Sequence, residues 1–506
     1  MKKIINVIKS RFFIAAFCIV LVFVQLMVVY LLLHKYCLPV TILAKPFYFF
    51  VFLYIVNKDE TVEFKLPWII LILLMPIAGS FMYILLLSDG YSKKEQQRFK
   101  KHIDICKKHD NDDKLKELKN SEAYLQAKYL CSSNEISIYD KSKVTYYKIG
   151  EEFNIALVEE LKKAEKFIFM EYFIVAKGLM FNVILDILKE KAQAGVEVYF
   201  MYDDFGCMTT LSESYYKELE SFGIHAIPSI KFEAKFSNIH NNRDHRKITV
   251  IDGKVGFTGG INISDEYINE IDKHGHWKDT AIKIEGEAVK NLTKLFLGVW
   301  NFQNKDSLEY DKYLNVSCDK FESNGIVIPY GDGPNLFYNE SVGKNVYLNI
   351  IHMAKKYLYI TTPYLICDNE LLNALRLASK RGIDVRIITP HIPDKKAIFL
   401  MTRSNYYNLI KDGIKIYEYK KGFIHAKEFV CDDIFATCGT INLDYRSLTH
   451  HFECGAWIYN MDCIKDMKKD ILDIIDKSLE MNLEKSKLKG WRKLLAEFMK
   501  IFTPLM

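Results

Sequence analysis

The stretch HRKITVIDGKVGFTGGIN at positions 245–262 decides the fold, because the chain carries it twice. The second copy, HAKEFVCDDIFATCGTIN, occupies positions 425–442. Both fit H-x-K-x4-D-x6-G-[G/T]-I-N. His245, Lys247, Asp252, Gly259 and Asn262 recur 180 positions later as His425, Lys427, Asp432, Gly439 and Asn442. Similarity at a fixed separation marks a duplicated structural unit.

The spacing carries a chemical meaning. A His and a Lys two apart on a strand point to the same face, so each copy offers an imidazole beside an ammonium. ITVID and EFVCD then read as buried strands. The Gly-Gly or Gly-Thr pair that follows predicts a turn that presents the Asn amide. Two copies related by a pseudo-twofold axis would gather two His, two Lys and two Asn. Such a set suits a phosphodiester: one His attacks phosphorus and the other protonates the leaving oxygen. The amines and the amides of Asn262 and Asn442 bind the non-bridging oxygens. The lysines supply the positive charge, so the arrangement requires no metal and no cofactor.

These residues resemble the paired signature of the phospholipase D superfamily. The resemblance makes the His/Lys pairs catalytic and orients each signature His with an acidic residue placed as Asp279 and Glu453 are. It makes the signature aspartates, Asp252 and Asp432, structural more often than catalytic. A His acting as nucleophile or acid needs such a carboxylate on its far nitrogen. GHWKDTAIKIEG supplies Asp279 and THHFECGAWIY supplies Glu453, each ahead of a strand-like run.

Outside the signatures the repeats also match. ALVEELKKAEKFIFMEYFIV and GVEVYFMYDD in the first parallel NIIHMAKKYLYITTPYLI and GIDVRIITP in the second. Helix and buried strand alternate, predicting an α/β fold of two pseudo-symmetric repeats with mixed sheets flanked by helices. YYKELESFGI and YYNLIKDGI form another pair, but Gly223 and Gly413 lie 190 apart. The first repeat therefore carries about ten extra residues before its His, in KFEAKFSNIHNNRD. Asp203-Asp204, at a strand end without further acids, reads as structural or pocket-lining rather than a metal pair. His274 and His276 lack a third ligand. GDGP at 331–334 reads as a turn between the repeats, and His240, His450 and His451 flank the signatures.

Composition narrows the class further. A net charge of +6 over 506 residues gives little support to nucleic-acid binding. Eleven Cys, none in a C-x-x-C pair, argue against a disulfide framework and fit a reducing compartment.

The N-terminal region differs in kind. Residues 12–33 are apolar apart from Gln25, 37–56 are apolar around Lys45-Pro46, and 66–87 form a third run with Trp68 and Tyr83 as interfacial anchors. Transmembrane helices are predicted. Basic residues flank both ends, at 2–11 and 93–101, which by the positive-inside rule demands an even number of crossings. Two and three crossings both stay open, with the large C-terminal part on the cytoplasmic side of the cell membrane. The third run resembles the membrane module of bacterial cardiolipin synthases, with Trp68, Pro76, Gly79 and Tyr83. The tail LKGWRKLLAEFMKIFTPLM puts Trp491, Leu494, Leu495, Phe498 and Phe502 on one helical face, suited to an interface or to packing.

The predicted layout is a membrane module at 1–90, a basic connector at 91–130 able to lie on anionic headgroups, catalytic repeats at 131–315 and 316–482, and an amphipathic tail at 483–506. The resemblance to cardiolipin synthases then spans most of the chain. It implies transfer of a phosphatidyl group from one phosphatidylglycerol to another through a phosphohistidine, with His245 as nucleophile and His425 as acid/base, or the reverse. The implied partners are phosphatidylglycerol and an anionic bilayer; no protein partner is indicated. Hydrolysis, or transfer to a different alcohol, would use the same groups. Thr440 departs from the family, where Ser is commoner, but keeps the hydroxyl.

Overall fold

The computed structural model describes residues 24–25, 28, 31–32, 38–86, 91, 93–108, 113–134, 136–232, 241–304, 307–323, 325–334 and 337–505. Two compact units result. One comprises 1–90, 232–240 and 498–506; the other comprises 91–231 and 241–497.

The larger unit holds both repeats. The first contributes β1 (Lys143–Tyr147), β2 (Phe167–Tyr172), β3 (Glu197–Asp203), β4 (His225–Ser229), β5 (Lys247–Ile251), β6 (Val255–Gly259), β7 (His276–Lys278) and β8 (Ala281–Glu285). The second contributes β9 (Ile326–Asp332), β10 (Tyr357–Thr361), β11 (Leu365–Ile366), β12 (Asp384–Pro390), β13 (Lys415–Tyr419), β14 (Gly422–Ile424), β15 (Glu428–Cys431), β16 (Phe435–Gly439), β17 (Leu443–Asp444), β18 (Glu453–Tyr459) and β19 (Ser478–Met481).

The sheet orders are β1-β8-β6-β5-β2-β3-β4 and β9-β18-β16-β15-β10-β12-β13-β19. Position by position the two agree, and the second adds only the edge strand β19. Each sheet is mixed: β2 pairs parallel with β3 and antiparallel with β5, as β10 does with β12 and β15. FIFMEY of β2 and KITVI of β5 are buried throughout, as central strands covered on both faces should be. The long helix Val289–Gln303 is buried for most of its length and packs Phe296 flat against Phe169 of β2.

The repeats interlock. β14, which leads into the second signature, pairs parallel with β7, which precedes Asp279. The pseudo-symmetric contact is a bridge from Asp244 to Phe452. Each signature therefore enters the site beside the other repeat's acid.

Several details differ from the sequence reading. The chain reverses at Asp252-Gly253 and at Asp432-Asp433, all four with positive φ, rather than at the Gly pairs. Two consecutive left-handed residues form the turn whose twist suits a tight hairpin. GDGP is not a simple turn, since Gly331 and Asp332 close β9 and the Asp332 carboxylate accepts from the amides of Val342 and Gly343. The connector is helical at Lys93–Lys108 and packs into the larger unit. Phe99 and Cys106 of the helix Lys93–Lys108 are buried, and His102 bonds Tyr310.

In the smaller unit the 66–87 run is not one helix. It is divided between Val62–Leu74 and Pro76–Leu86, broken at Met75 where Pro76 cannot continue the ladder. The rings of Trp68 and Tyr83 meet at 5.3 Å, so the chain folds back; one continuous helix would hold them about 22 Å apart. Gly79 permits the approach, since a Cβ there would lie 2.9 Å from the Leu71 carbonyl oxygen. Among the described residues no helix is long and apolar enough to cross a membrane. Most of the 12–33 run lies outside the described residues.

Candidate active site

His245 and His425 stand at the entrances to β5 and β15, each 7% exposed. The His245 amide donates to the Phe452 carbonyl at 2.9 Å, and the His425 amide donates to the Lys278 carbonyl at 2.7 Å. Those contacts bring each imidazole to the opposite repeat's acid. His245 Nδ1 lies 2.9 and 3.0 Å from the Glu453 carboxylate oxygens, and His425 Nδ1 lies 2.6 Å from Asp279 Oδ2. Both predicted acids are in place, but each serves the His of the other repeat. With Nδ1 held by a carboxylate, Nε2 is the nitrogen left for chemistry.

The acids are supported unequally. Glu453 also accepts from Thr440 Oγ1 and from Ser447 Oγ, the latter at 2.6 Å. Asp279 accepts the Thr280 amide at 2.8 Å and leaves no room opposite, because a Cβ at Gly260 would lie 2.1 Å from its Oδ1. Position 260 corresponds to Thr440. The Gly/Thr alternation in the signature therefore reports how each acid is seated.

Lys247 and Lys427 reach back to the carbonyls of His245 and His425, so each ammonium sits beside its own imidazole. Burial brings Lys247 down to about 8 and Lys427 to about 7, against the attraction of Asp279 and Glu453. Burial and the neighbouring lysines hold His245 well below its ordinary value. His425 falls to about 4 for the same reasons, with Asp279 opposing. Burial pushes Asp279 up, but His425 and Lys427 outweigh it and its pKa is lowered. Both imidazoles are thus held neutral. A bound phosphate anion adds negative charge and favours a proton on one of them.

Rings wall the two imidazoles differently. Phe173 meets His245 edge-on at 4.9 Å and His451 lies 5.5 Å away. Tyr267 and Trp277 stand 5.5 and 5.6 Å from His425. Phe173 and Tyr267 belong to no motif that marks them in the sequence, whereas Ser447 closes the run NLDYRS that begins at Asn442.

Four signature residues do work other than phosphate contact. Asp252 accepts the amides of Glu165, Lys166 and Phe167 at 2.7–2.9 Å. Asp432 accepts those of Lys355, Lys356 and Tyr357 at 2.6–2.9 Å. Each lies five residues beyond its Lys, about 16 Å along the strand, so neither belongs with the reacting groups; each braces a hairpin. Asn262 Oδ1 accepts the Ile174 amide and its Nδ2 donates to Tyr267, leaving one amide hydrogen for any phosphate. Asn442 donates to Asp444. Asp203 is also structural, accepting the amides of Gly206 and Asp244. His276 contacts Tyr419 rather than a metal-ligand set.

Two crossed His–carboxylate dyads on a duplicated α/β scaffold define a phospholipase D-like enzyme. The family model described as "Cardiolipin synthase, PLD-like domain" matches residues 157–300 and 347–475, and the chain belongs to that family. It is 34% identical over 451 residues to the cardiolipin synthase of Alkalihalophilus pseudofirmus, covering 87% of this chain and 88% of that one. An uncharacterized protein of Streptococcus mutans is 44% identical, over 90% of this chain and 99% of its own. Phosphatidylserine synthase of Haemophilus influenzae shares the fold, with TM-score 0.56 at 14% identity, over 75% of this chain and 97% of that one.

Proposed function

We propose that the chain is a cardiolipin synthase joining two phosphatidylglycerols and releasing glycerol. The crossed dyads carry the chemistry, and the likeness to curated cardiolipin synthases supports the choice of donor and acceptor. His245 Nε2 attacks phosphorus; the P–N bond forms as the P–O bond to glycerol breaks. His425 Nε2–H gives its proton to the departing glycerol oxygen. A hydroxyl of the second phosphatidylglycerol then attacks, His425 takes its proton and the P–N bond breaks. Lys247 and Lys427 oppose the charge that grows on the non-bridging oxygens.

The site works on lipids held at a bilayer surface. Leu66, Leu73, Leu74, Phe81 and Leu85 of the smaller unit are exposed, as are Trp491, Leu494, Leu495 and Phe498 on one face of the helix Gly490–Lys500. Apolar faces of this kind insert at the headgroup boundary. Attachment to the cell membrane with the catalytic unit in the cytoplasm accords with the basic flanks, whether the N-terminal run crosses twice or three times.

The test is incubation of the purified protein in liposomes with phosphatidylglycerol alone, followed by mass spectrometry of the lipids, with His245→Ala and His425→Ala as controls. Cardiolipin and free glycerol from the wild type alone are expected. Phosphatidic acid as the main product would make water the acceptor and overturn the reading.

A further inference from the structure

His451 is a half-buried histidine that the reaction leaves unused. Neither of its ring nitrogens has a hydrogen-bond partner, and Nδ1 lies 3.6 Å from Glu453 Oε1. Nδ1 thus has only the long contact to Glu453 and Nε2 has none, and a buried ring nitrogen left unmatched is costly unless something binds there. A ring nitrogen of His245, one of His451 and a Glu453 oxygen all fall within 4.8 Å of one another. No other group of three His, Cys, Asp or Glu among the described residues meets that spacing.

We infer that His245, His451 and Glu453 form an inhibitory site for Zn2+. Two imidazole nitrogens and a carboxylate oxygen are the donor set of open tetrahedral zinc sites, and nitrogen donors disfavour Mg2+ and Ca2+. Ligand bonds of about 2.0–2.2 Å would set the donors roughly 3.4 Å apart, so that His245 Nδ1 and Glu453 open from 2.9 Å and the widest pair closes by about 1.4 Å at most. Glu453 already accepts from Thr440 and Ser447, the outer-shell bonding that steadies a ligating carboxylate.

Zinc takes the Nδ1 lone pair of the neutral His245 ring, whose one proton moves to Nε2; no proton is lost overall and no redox change occurs. The metal then separates the nucleophile from Glu453 and draws electron density out of the ring, so attack on phosphorus stops. Lys247 and Lys427 oppose a cation here, which makes the site weaker than a structural zinc and its occupancy reversible. The other half is an internal control. Asp279 precedes Glu453 by 174 positions, and the residue 174 before His451 is Trp277. Trp277 offers no lone pair, so the His425 dyad has no third ligand.

The experiment uses the full chain in detergent, dialysed against chelator-buffered Zn2+, with bound metal counted and turnover measured. Wild type is expected to hold one zinc at this site and to lose turnover, with recovery on chelation and no effect of equal Mg2+. His451→Asn and His451→Gln should lose that zinc. Their inhibition constants, each normalised to its own zinc-free rate, should rise at least tenfold. Unchanged binding and inhibition in both variants would overturn the inference. X-ray absorption of zinc in the wild type needs no variant: two imidazoles are expected, and sulfur at about 2.3 Å would place the metal on cysteine instead. Zinc stoichiometry does not depend on the acceptor alcohol, so failure of the synthase reading leaves this test standing.

Discussion

Replacing Glu453 by Gln tests the crossed dyads most directly. The carboxylate accepts from three donors: His245 Nδ1–H, Thr440 Oγ1 and Ser447 Oγ. A glutamine amide keeps the shape and supplies one acceptor oxygen. Its NH2 must face a former donor. Turned toward His245, the amide hydrogen makes Nδ1 the acceptor and puts the ring proton on Nε2, the nitrogen that attacks. Turned the other way, it preserves the tautomer but loses the charge. Loss of a charge-assisted bond costs about 1.5–3 kcal/mol, and the wrong tautomer adds to it. Loss of the orienting carboxylate in a catalytic triad lowers kcat about 10^4-fold by that route. We expect kcat to fall roughly 10^2 to 10^4-fold, with KM little changed, because the bond matters most as charge builds on the ring. The assay is release of nitrophenol from a short-chain phosphatidyl nitrophenol in micelles. That leaving group needs no proton, so Asp279→Asn, acting through His425, should recover most of the first step while Glu453→Gln should not. Equal losses in the two variants would refute the division of labour, and a loss below tenfold for Glu453→Gln would refute the geometry.

Gly260→Ala should cost at least tenfold in kcat, because its Cβ would stand 2.1 Å from Asp279 Oδ1; Thr440→Ser, which keeps the hydroxyl, should stay within about threefold. Lys427 and Lys247 are lowered to about 7 and 8 by burial. Their ammonium charge is therefore lost as pH rises through that window, and kcat/KM should decline there rather than near 10, measured as a pH–rate profile. Lys427→Arg should move the decline upward if its guanidinium can reach the phosphate. Asp252→Asn leaves three amides facing an NH2 in part; it should lower Tm by several degrees while kcat at low temperature is preserved. His102 is lowered to about 3 by burial, so the fold holds it neutral. The sign follows: the unfolded chain binds the proton first, and stability present above about 6.5 is lost as pH falls from there toward 3. Thermal melts at pH 7 and 5 should show the drop, and His102→Gln should reduce it.

The duplication was legible because its period survives in residues with no freedom to vary: a His and Lys on one strand face, an Asp that must hold three amides, a Gly against a neighbouring strand. The α/β class with mixed sheets followed from the alternation of helix and strand, whereas the strand orders left no such mark. What the sequence could not display was the exchange between repeats. Asp279 and Glu453 each follow a signature by similar intervals, so chain order pairs each with its own His, whereas β7 and β14 pair across the twofold and exchange them. Long-range pairing leaves no local trace. The 66–87 run misled for the opposite reason. Its hydropathy and length match a span, and only the break at Met75-Pro76 with the Trp68–Tyr83 contact distinguishes a hairpin.

Two equal half-sites could not assign one histidine to attack and the other to proton transfer; some difference must separate them. The difference lies in the acids. Glu453 spreads its charge over hydroxyl bonds from Thr440 and Ser447, and less remains to support an imidazolium on His245. Lys247, Lys427, His425 and Lys395 add to burial in opposing a proton on His245, against Glu453 at 2.9 Å. Asp279 has no hydroxyl donor and forms the shorter contact, 2.6 Å, and it favours a proton on His425 against the lysines. When a phosphate anion enters and one proton must be held, His425 is the better base and His245 stays neutral with a free Nε2. On that ordering we propose His245 as the nucleophile and His425 as the acid. Trapping the intermediate should place phosphorus on His245. A phosphorylated peptide containing His425 would reverse the assignment and with it the argument from Thr440 and Ser447.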